Sequence, residues 1–179
     1  MNLAVDIIVS SPPWEGMDDF ARRDGLVERA LYQCVATTGA RLAQDSEVCV
    51  TFCDDATIRA LNAQWRGQDK PTNVLSFPTP GPLAKKNLLG DIVIAYETVA
   101  REAREQDKSL RDHVAHMVVH GFLHLIGYDH ETSAEAEIME AAERRVAAAL
   151  GLSDPYEGTL LADKDFEPNG SEKANVDEA

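Results

Sequence analysis

Residues 113–130 read HVAHMVVHGFLHLIGYDH and contain all five histidines of a 179-residue chain. Ser109 opens this stretch as a helix N-cap, with Asp112 three residues on in the spacing of a capping box, and apolar positions carry the helix to about Ile126. His113, Met117, His120 and His124 fall along one stripe of that helix, with His116 beside it. His113 and His120 are separated by about 10.5 Å of helical rise, too far to share an ion. His120 and His124 are one turn apart, close enough for both imidazoles to meet a metal at about 2.0–2.1 Å, and His116 and His120 have the same spacing. The chain beyond the helix separates the two pairs. Gly127 can take a positive φ and turn the chain back, so that His130 closes over the helix end beside His124. The expected ligands are therefore His120, His124 and His130. Three imidazoles suit one zinc ion and leave its fourth position open, the catalytic arrangement. His113 and His116 are expected to be structural or to support the ligands.

The spacing H-x-x-x-H-x-x-G-x-x-H is shared with the metzincin proteases, which carry Glu directly after the first histidine as general base. Here that position is Gly121. The helix is zincin-like, its proteolytic base is absent, and peptide hydrolysis is disfavoured.

Outward from this helix, Leu3, Val5, Ile7 and Val9 alternate as a strand over 2–9, followed by a helix over about 18–38 ending at Gly39. EVCVTF (47–52) reads as a second strand, and Asp54 and Asp55 cap a helix with Ile58, Leu61 and Trp65 on one face. VLSF (74–77) and DIVIA (91–95) are strands joined with hairpin-like spacing across a Pro- and Gly-rich loop. A charged helix comes next over 97–106, and Thr132 with Glu135 opens a last helix that ends near Leu150, before Gly151. The expected fold class is α+β: a small mixed sheet of about four strands packed with helices.

Residues 1–152 read as one catalytic metal-binding domain. Residues 153–179 hold eight acidic residues against two lysines and little apolar bulk, so they read as an acidic, disordered tail that adds nothing to folding. The whole chain carries −14, which argues against broad nonspecific binding to nucleic acid or an anionic membrane. No apolar run approaches the roughly 20 residues of a membrane span. Asp6 and the lack of a basic start speak against a signal peptide. Cys34, Cys49 and Cys53 form no disulfide pattern, as expected of reduced thiols in the cytoplasm.

The segment HMVVHGFLHLIGYDH (116–130) closely resembles the signature of the YbeY family, zinc-dependent endoribonucleases that mature ribosomal RNA. LNAQWRGQDKPTNVLSFP (61–78) and LGDIVIA (89–95) agree with the family in the same order. The resemblance implies a zinc site of His120, His124 and His130. It further implies single-strand-specific cleavage in 16S (small-subunit) ribosomal RNA 3′-end maturation, ribosome assembly and ribosome quality control. Many relatives read TDVLSFP where this chain has Asn73, which leaves no charge at that position.

Within the second block, Arg66 resembles the family's conserved arginine and is the candidate catalytic cation, because a guanidinium can hold two phosphoryl oxygens in a fork. Its other reading is a cation at a helix C-terminus, favoured by the dipole. Lys70, with Lys85 and Lys86, is a candidate for the substrate backbone; the other reading of these lysines, which the sequence favours, is solvated surface. The expected mechanism is metal-assisted phosphodiester cleavage, with Arg66 stabilising developing charge. An acidic chain acting on the small ribosomal subunit is expected to need a ribosomal protein or an assembly GTPase for targeting, and no membrane. The rival readings are a noncatalytic assembly factor with a structural zinc and a minimal metalloprotease, the latter weakened by Gly121.

Overall fold

The computed structural model describes residues 2–15 and 25–157. Its centre is a four-stranded sheet of β1 (Asn2–Val9), β2 (Asp45–Cys53), β3 (Val74–Pro78) and β4 (Leu88–Ala95), in the order β1-β2-β4-β3. β1 and β4 run parallel to β2, and β3 returns antiparallel on β4, with Val74 opposite Ile94 and Phe77 opposite Asp91. The sheet is therefore mixed and the fold α+β, as the strand spacing predicts. β3 is a terminal strand, so its outer edge has no strand partner among the described residues.

Six α-helices among the described residues surround the sheet: α1 (Pro12–Glu15), α2 (Leu26–Thr38), α3 (Asp55–Arg66), α4 (Tyr96–Glu105), α5 (Leu110–Leu125) and α6 (Ser133–Leu150). Of the helix expected over 18–38, residues 18–24 lie outside those described; the described part begins at Leu26 and ends on Gly39, whose φ of 67° makes the left-handed cap. The short α1 was not expected. It buries Trp14, whose indole N–H donates to Cys53 O at 2.7 Å and so ties α1 to the end of β2. Asp54 caps α3 by accepting from Thr57 N at 2.8 Å. Thr132 and Glu135 complete a reciprocal capping box on α6. At α5 only half of the expected box forms. Ser109 Oγ accepts from Asp112 N at 3.0 Å, whereas the Asp112 carboxylate takes the Ser153 hydroxyl at 3.2 Å.

Alternation along the strands sends side chains to two separate cores. Val48, Val50, Phe52, Ile92 and Ile94 join the large core under α2, α5 and α6. Leu75, Val93 and Ala95 face the other way and form a smaller core with Ile58, Leu61 and Phe77, beneath α3. Thus α5 and α3 lie on opposite faces of the sheet, with the edge strand β3 between them. All three cysteines are free thiols. No helix among the described residues is long and apolar enough to cross a membrane.

Candidate metal centre

α5 is the buried central helix, and its C-terminal half carries His120 and His124 outward on successive turns. Gly121 lets the helix sit close on the sheet: a Cβ there would lie 2.7 Å from Ile92 Cγ2 and 3.2 Å from Ser76 Oγ. The Ser76 hydroxyl donates to Gly121 O at 3.1 Å, pinning β3 to the helix at this point. The position where a metzincin places its glutamate thus faces the sheet and is filled by Ile92 and Ser76.

After Ile126 the chain turns on Gly127, whose φ is 101°. Tyr128 N donates to Leu123 O at 2.9 Å, and Asp129 Oδ1 accepts from His130 N at 2.8 Å, fixing the approach of the last histidine. The His130 ring centroid lies 4.9 Å from that of His124 and 5.5 Å from that of His120. One ring nitrogen from each of His120, His124 and His130 falls within 4.8 Å of the others. The turn brings together the three histidines that the spacing selects.

Hydrogen bonds on the far side of the rings decide their tautomers. His120 Nδ1 stands 2.7 Å from Glu143 Oε1, and His124 Nδ1 stands 3.0 Å from Tyr128 O. Both acceptors lack a proton, so both Nδ1 atoms carry the hydrogen and both Nε2 atoms carry a lone pair. Those two Nε2 atoms face each other at 3.2 Å. Two acceptors so placed suit a cation between them and His130, and the donor set fits a divalent metal such as zinc. Burial, then the charges of His120 and His130, bring the His124 pKa down to about 4, which keeps its lone pair available at neutral pH.

Glu143 on α6 is the supporting residue that sequence reasoning missed. It is 1% exposed and opposes that burial by hydrogen bonding and charge from His116 and His120, which hold its carboxyl well below the usual range. The Tyr156 hydroxyl donates to its other oxygen, and His116 Nε2 stands 3.4 Å from the same atom. A signal was present: Met139, Ala142, Val146 and Ala147 form the buried stripe of α6, and Glu143 falls inside it. His116, His120 and Glu143 also group closely, but they largely face one another. His113, 3% exposed, reaches away from the cluster to Glu102 at 2.9 Å. Asn73 Nδ2 donates to both Glu102 oxygens, at 3.1 and 3.2 Å, so the amide at position 73 serves where a carboxylate would be repelled.

Arg66 and Lys70 lie at and just beyond the C-terminal end of α3, which Gly67 terminates. Both are exposed, and Arg66 forms no ion pair with a described residue. They are on the other sheet face from α5, and the structure brings neither into contact with the histidines. Lys86 Nζ instead donates to Thr79 O within the β3–β4 connection. Of the tail expected over 153–179, residues 158–179 lie outside those described, and Ser153–Tyr156 pack against α5 and α6 through Asp112, Lys108, Glu143 and Arg144.

Comparison with known proteins places the chain and its fold in a family. The model of a family described as Endoribonuclease YbeY matches residues 20–151. A curated protein named Endoribonuclease YbeY from Methylocella silvestris is 54% identical over 165 residues, covering 92% of each chain. One of the same name from Beijerinckia indica is 56% identical over 160 residues, covering 87% of this chain and 78% of its own. The solution structure of TM1509 from Thermotoga maritima superposes with a TM-score of 0.53 at 27% identity, covering 89% of this chain and 99% of its own.

Proposed function

Because the chain belongs to the YbeY family of endoribonucleases, we propose that it cleaves unpaired RNA of the small ribosomal subunit with a zinc ion held by His120, His124 and His130. The coarser activity, hydrolysis of RNA phosphodiester bonds, comes with family membership. The observation that carries the metal reading is the convergence of two Nε2 lone pairs at 3.2 Å, each fixed by a hydrogen bond behind its ring.

When bound, zinc supplies Lewis-acid polarisation of a phosphoryl oxygen. The chain's own residues do the rest. Glu143 and the Tyr128 carbonyl hold the imidazoles of His120 and His124 in one tautomer and one orientation. Arg66, exposed at the end of α3, offers a fork for oxygens on which charge develops in the transition state. A substrate strand laid along the outer edge of β3 would meet the histidines on one side and Arg66 on the other, with Lys70 along its backbone. The site of action is the cytoplasm, at the 3′ end of 16S ribosomal RNA during ribosome assembly and quality control. With a net charge of −14 the chain needs a ribosomal protein or an assembly GTPase to target it.

Metal analysis coupled to single-turnover cleavage of a small-subunit RNA fragment tests this. The wild type should hold one zinc and cleave. His124→Ala should lose the metal, while His113→Ala should keep it. Arg66→Lys should keep fold and zinc but cleave roughly 30- to 1000-fold more slowly, because lysine preserves charge without the fork. Full zinc occupancy in His124→Ala would remove the ligand assignment, and an unchanged rate in Arg66→Lys would remove the arginine.

A further inference from the structure

Trp65 is the most exposed large apolar side chain among the described residues, at 64%. It sits in the last turn of α3, directly before Arg66, and its ring makes a T-shaped contact with Phe77, with centroids 6.0 Å apart and planes at 63°. Phe77 is anchored in turn, packing on the small core of Ile58, Leu75 and Val93. The indole is thus held by a seated ring, with much of its surface left to solvent. The chain's other tryptophan is buried and hydrogen-bonded.

The location gives this surface a meaning. Phe77 and Ser76 are neighbours on the edge strand β3 with side chains on opposite faces, and Ser76 binds Gly121 O, next to His120. The aromatic pair and the histidine cluster therefore flank the same short strand, whose outer edge has no strand partner among the described residues. Arg66 follows Trp65 directly and Lys70 lies four residues after Arg66, both exposed cations in a chain whose overall charge repels polyanions.

We propose that Trp65, backed by Phe77, is a stacking platform for one unpaired base of the RNA, seated across the β3 edge from the histidine cluster. The inference rests on the endoribonuclease reading and adds a selectivity device to it. A base within a duplex keeps its faces covered by its neighbours, whereas an unpaired base can lay one face on an indole. Stacking is tolerant of base identity, so the platform selects single strands without selecting a sequence. Flanking cations distinguish this surface from an apolar protein-docking patch: a nucleotide brings a phosphate with its base, and Arg66 and Lys70 are placed to meet one.

The test is equilibrium binding of two short 2′-O-methyl strands of equal length to the full chain, one with bases and one abasic. The phosphate charge is the same, so contacts to the bases separate the two strands, and the Trp65 variants separate stacking from other base contacts. The base-bearing strand should quench tryptophan emission, and Trp65→Leu should weaken its binding roughly 5- to 150-fold. Trp65→Tyr should restore most of that affinity, and the abasic strand should bind both variants like the wild type. Because Trp65 is so exposed, an unchanged Tm is expected for both variants and serves as the folding control. Wild-type affinity of Trp65→Leu for the base-bearing strand would overturn the platform and leave the surface to a protein partner. Failure of the wild type to bind either strand would overturn the RNA reading itself.

Discussion

Glu143 Oε1 lies 2.7 Å from His120 Nδ1, joining α6 to α5 through a carboxylate that is 1% exposed. A buried carboxylate is costly unless its oxygens are satisfied, and here they take His120 on one side and Tyr156 on the other. The geometry of the candidate metal centre therefore depends on the packing of α6, a helix that supplies no ligand.

Replacing Glu143 with Gln should keep the fold while weakening metal binding. The amide oxygen can still accept from His120, but the negative charge that raises the ligand's basicity is gone. An affinity loss of roughly 10- to 100-fold is expected, read by competition with a chromogenic chelator. Affinity equal to wild type would show that the ring is oriented by its other neighbours.

Gly121→Ala should destabilise the protein although alanine is the better helix former by about 1 kcal/mol. The added methyl would meet Ile92 at 2.7 Å, where the strand it touches is central to the core. Overpacking of this kind costs about 1–3 kcal/mol, so a net loss of about 1 kcal/mol or a Tm lower by roughly 2–4 °C is expected. Gly121→Glu should fare worse and should give no peptidase, because the side chain would be forced into the sheet. An unchanged Tm for Gly121→Ala would mean that α5 can shift away from β4.

Much of this was legible in the residues because it is local. Strand alternation, the caps at Asp54, Ser109 and Thr132, and the glycine stops at 39, 127 and 151 are decided within a few positions of chain. The grouping of His120, His124 and His130 was legible for the same reason: two lie one turn apart and the third comes after one turn of chain. Glu143 and Tyr156 were not, since Glu143 meets His120, 23 residues away, only through the packing of α6, and Tyr156 joins the cluster only by binding Glu143. The separation of Arg66 from the histidines was equally hidden. Sequence order places both near β3, and only the assignment of Leu75 and Phe77 to one core and Ser76 to the other face shows that the sheet lies between them.

Truncation separates the packed start of the C-terminal segment from the rest. Ending the chain after Glu157 should leave Tm unchanged. Ending it after Leu152 removes the Ser153–Asp112 and Asp154–Arg144 contacts, the buried Pro155, and Tyr156, whose ring lies 4.9 Å from the Arg144 guanidinium. Several contacts worth about 1 kcal/mol each, most of them partly exposed, predict a fall of roughly 4–10 °C. Equal melting of the two truncations would show that residues 153–157 lie on the domain without stabilising it.

The Glu102 carboxylate predicts how stability responds to acid away from the metal ligands. Burial works to raise its pKa, but hydrogen bonds from His113 and Asn73, with the charges of His113 and Arg101, outweigh it and hold the carboxyl below its ordinary value of 4.5. A group whose pKa is depressed by folding stabilises the native state above the unfolded value. That contribution is lost as the pH falls through the folded one, because the unfolded chain then binds the proton more readily. Glu102→Gln should therefore be less stable than wild type at pH 7, by about 1–2 kcal/mol for a charge-assisted pair of partners. The gap should narrow steadily below about pH 4.5, where the wild type gives up the same interaction. Urea unfolding of both proteins from pH 7 to pH 3.5 measures it, at fixed ionic strength to hold surface charges constant. A gap that stays the same across this range would mean that Glu102 acts through packing and not through its charge.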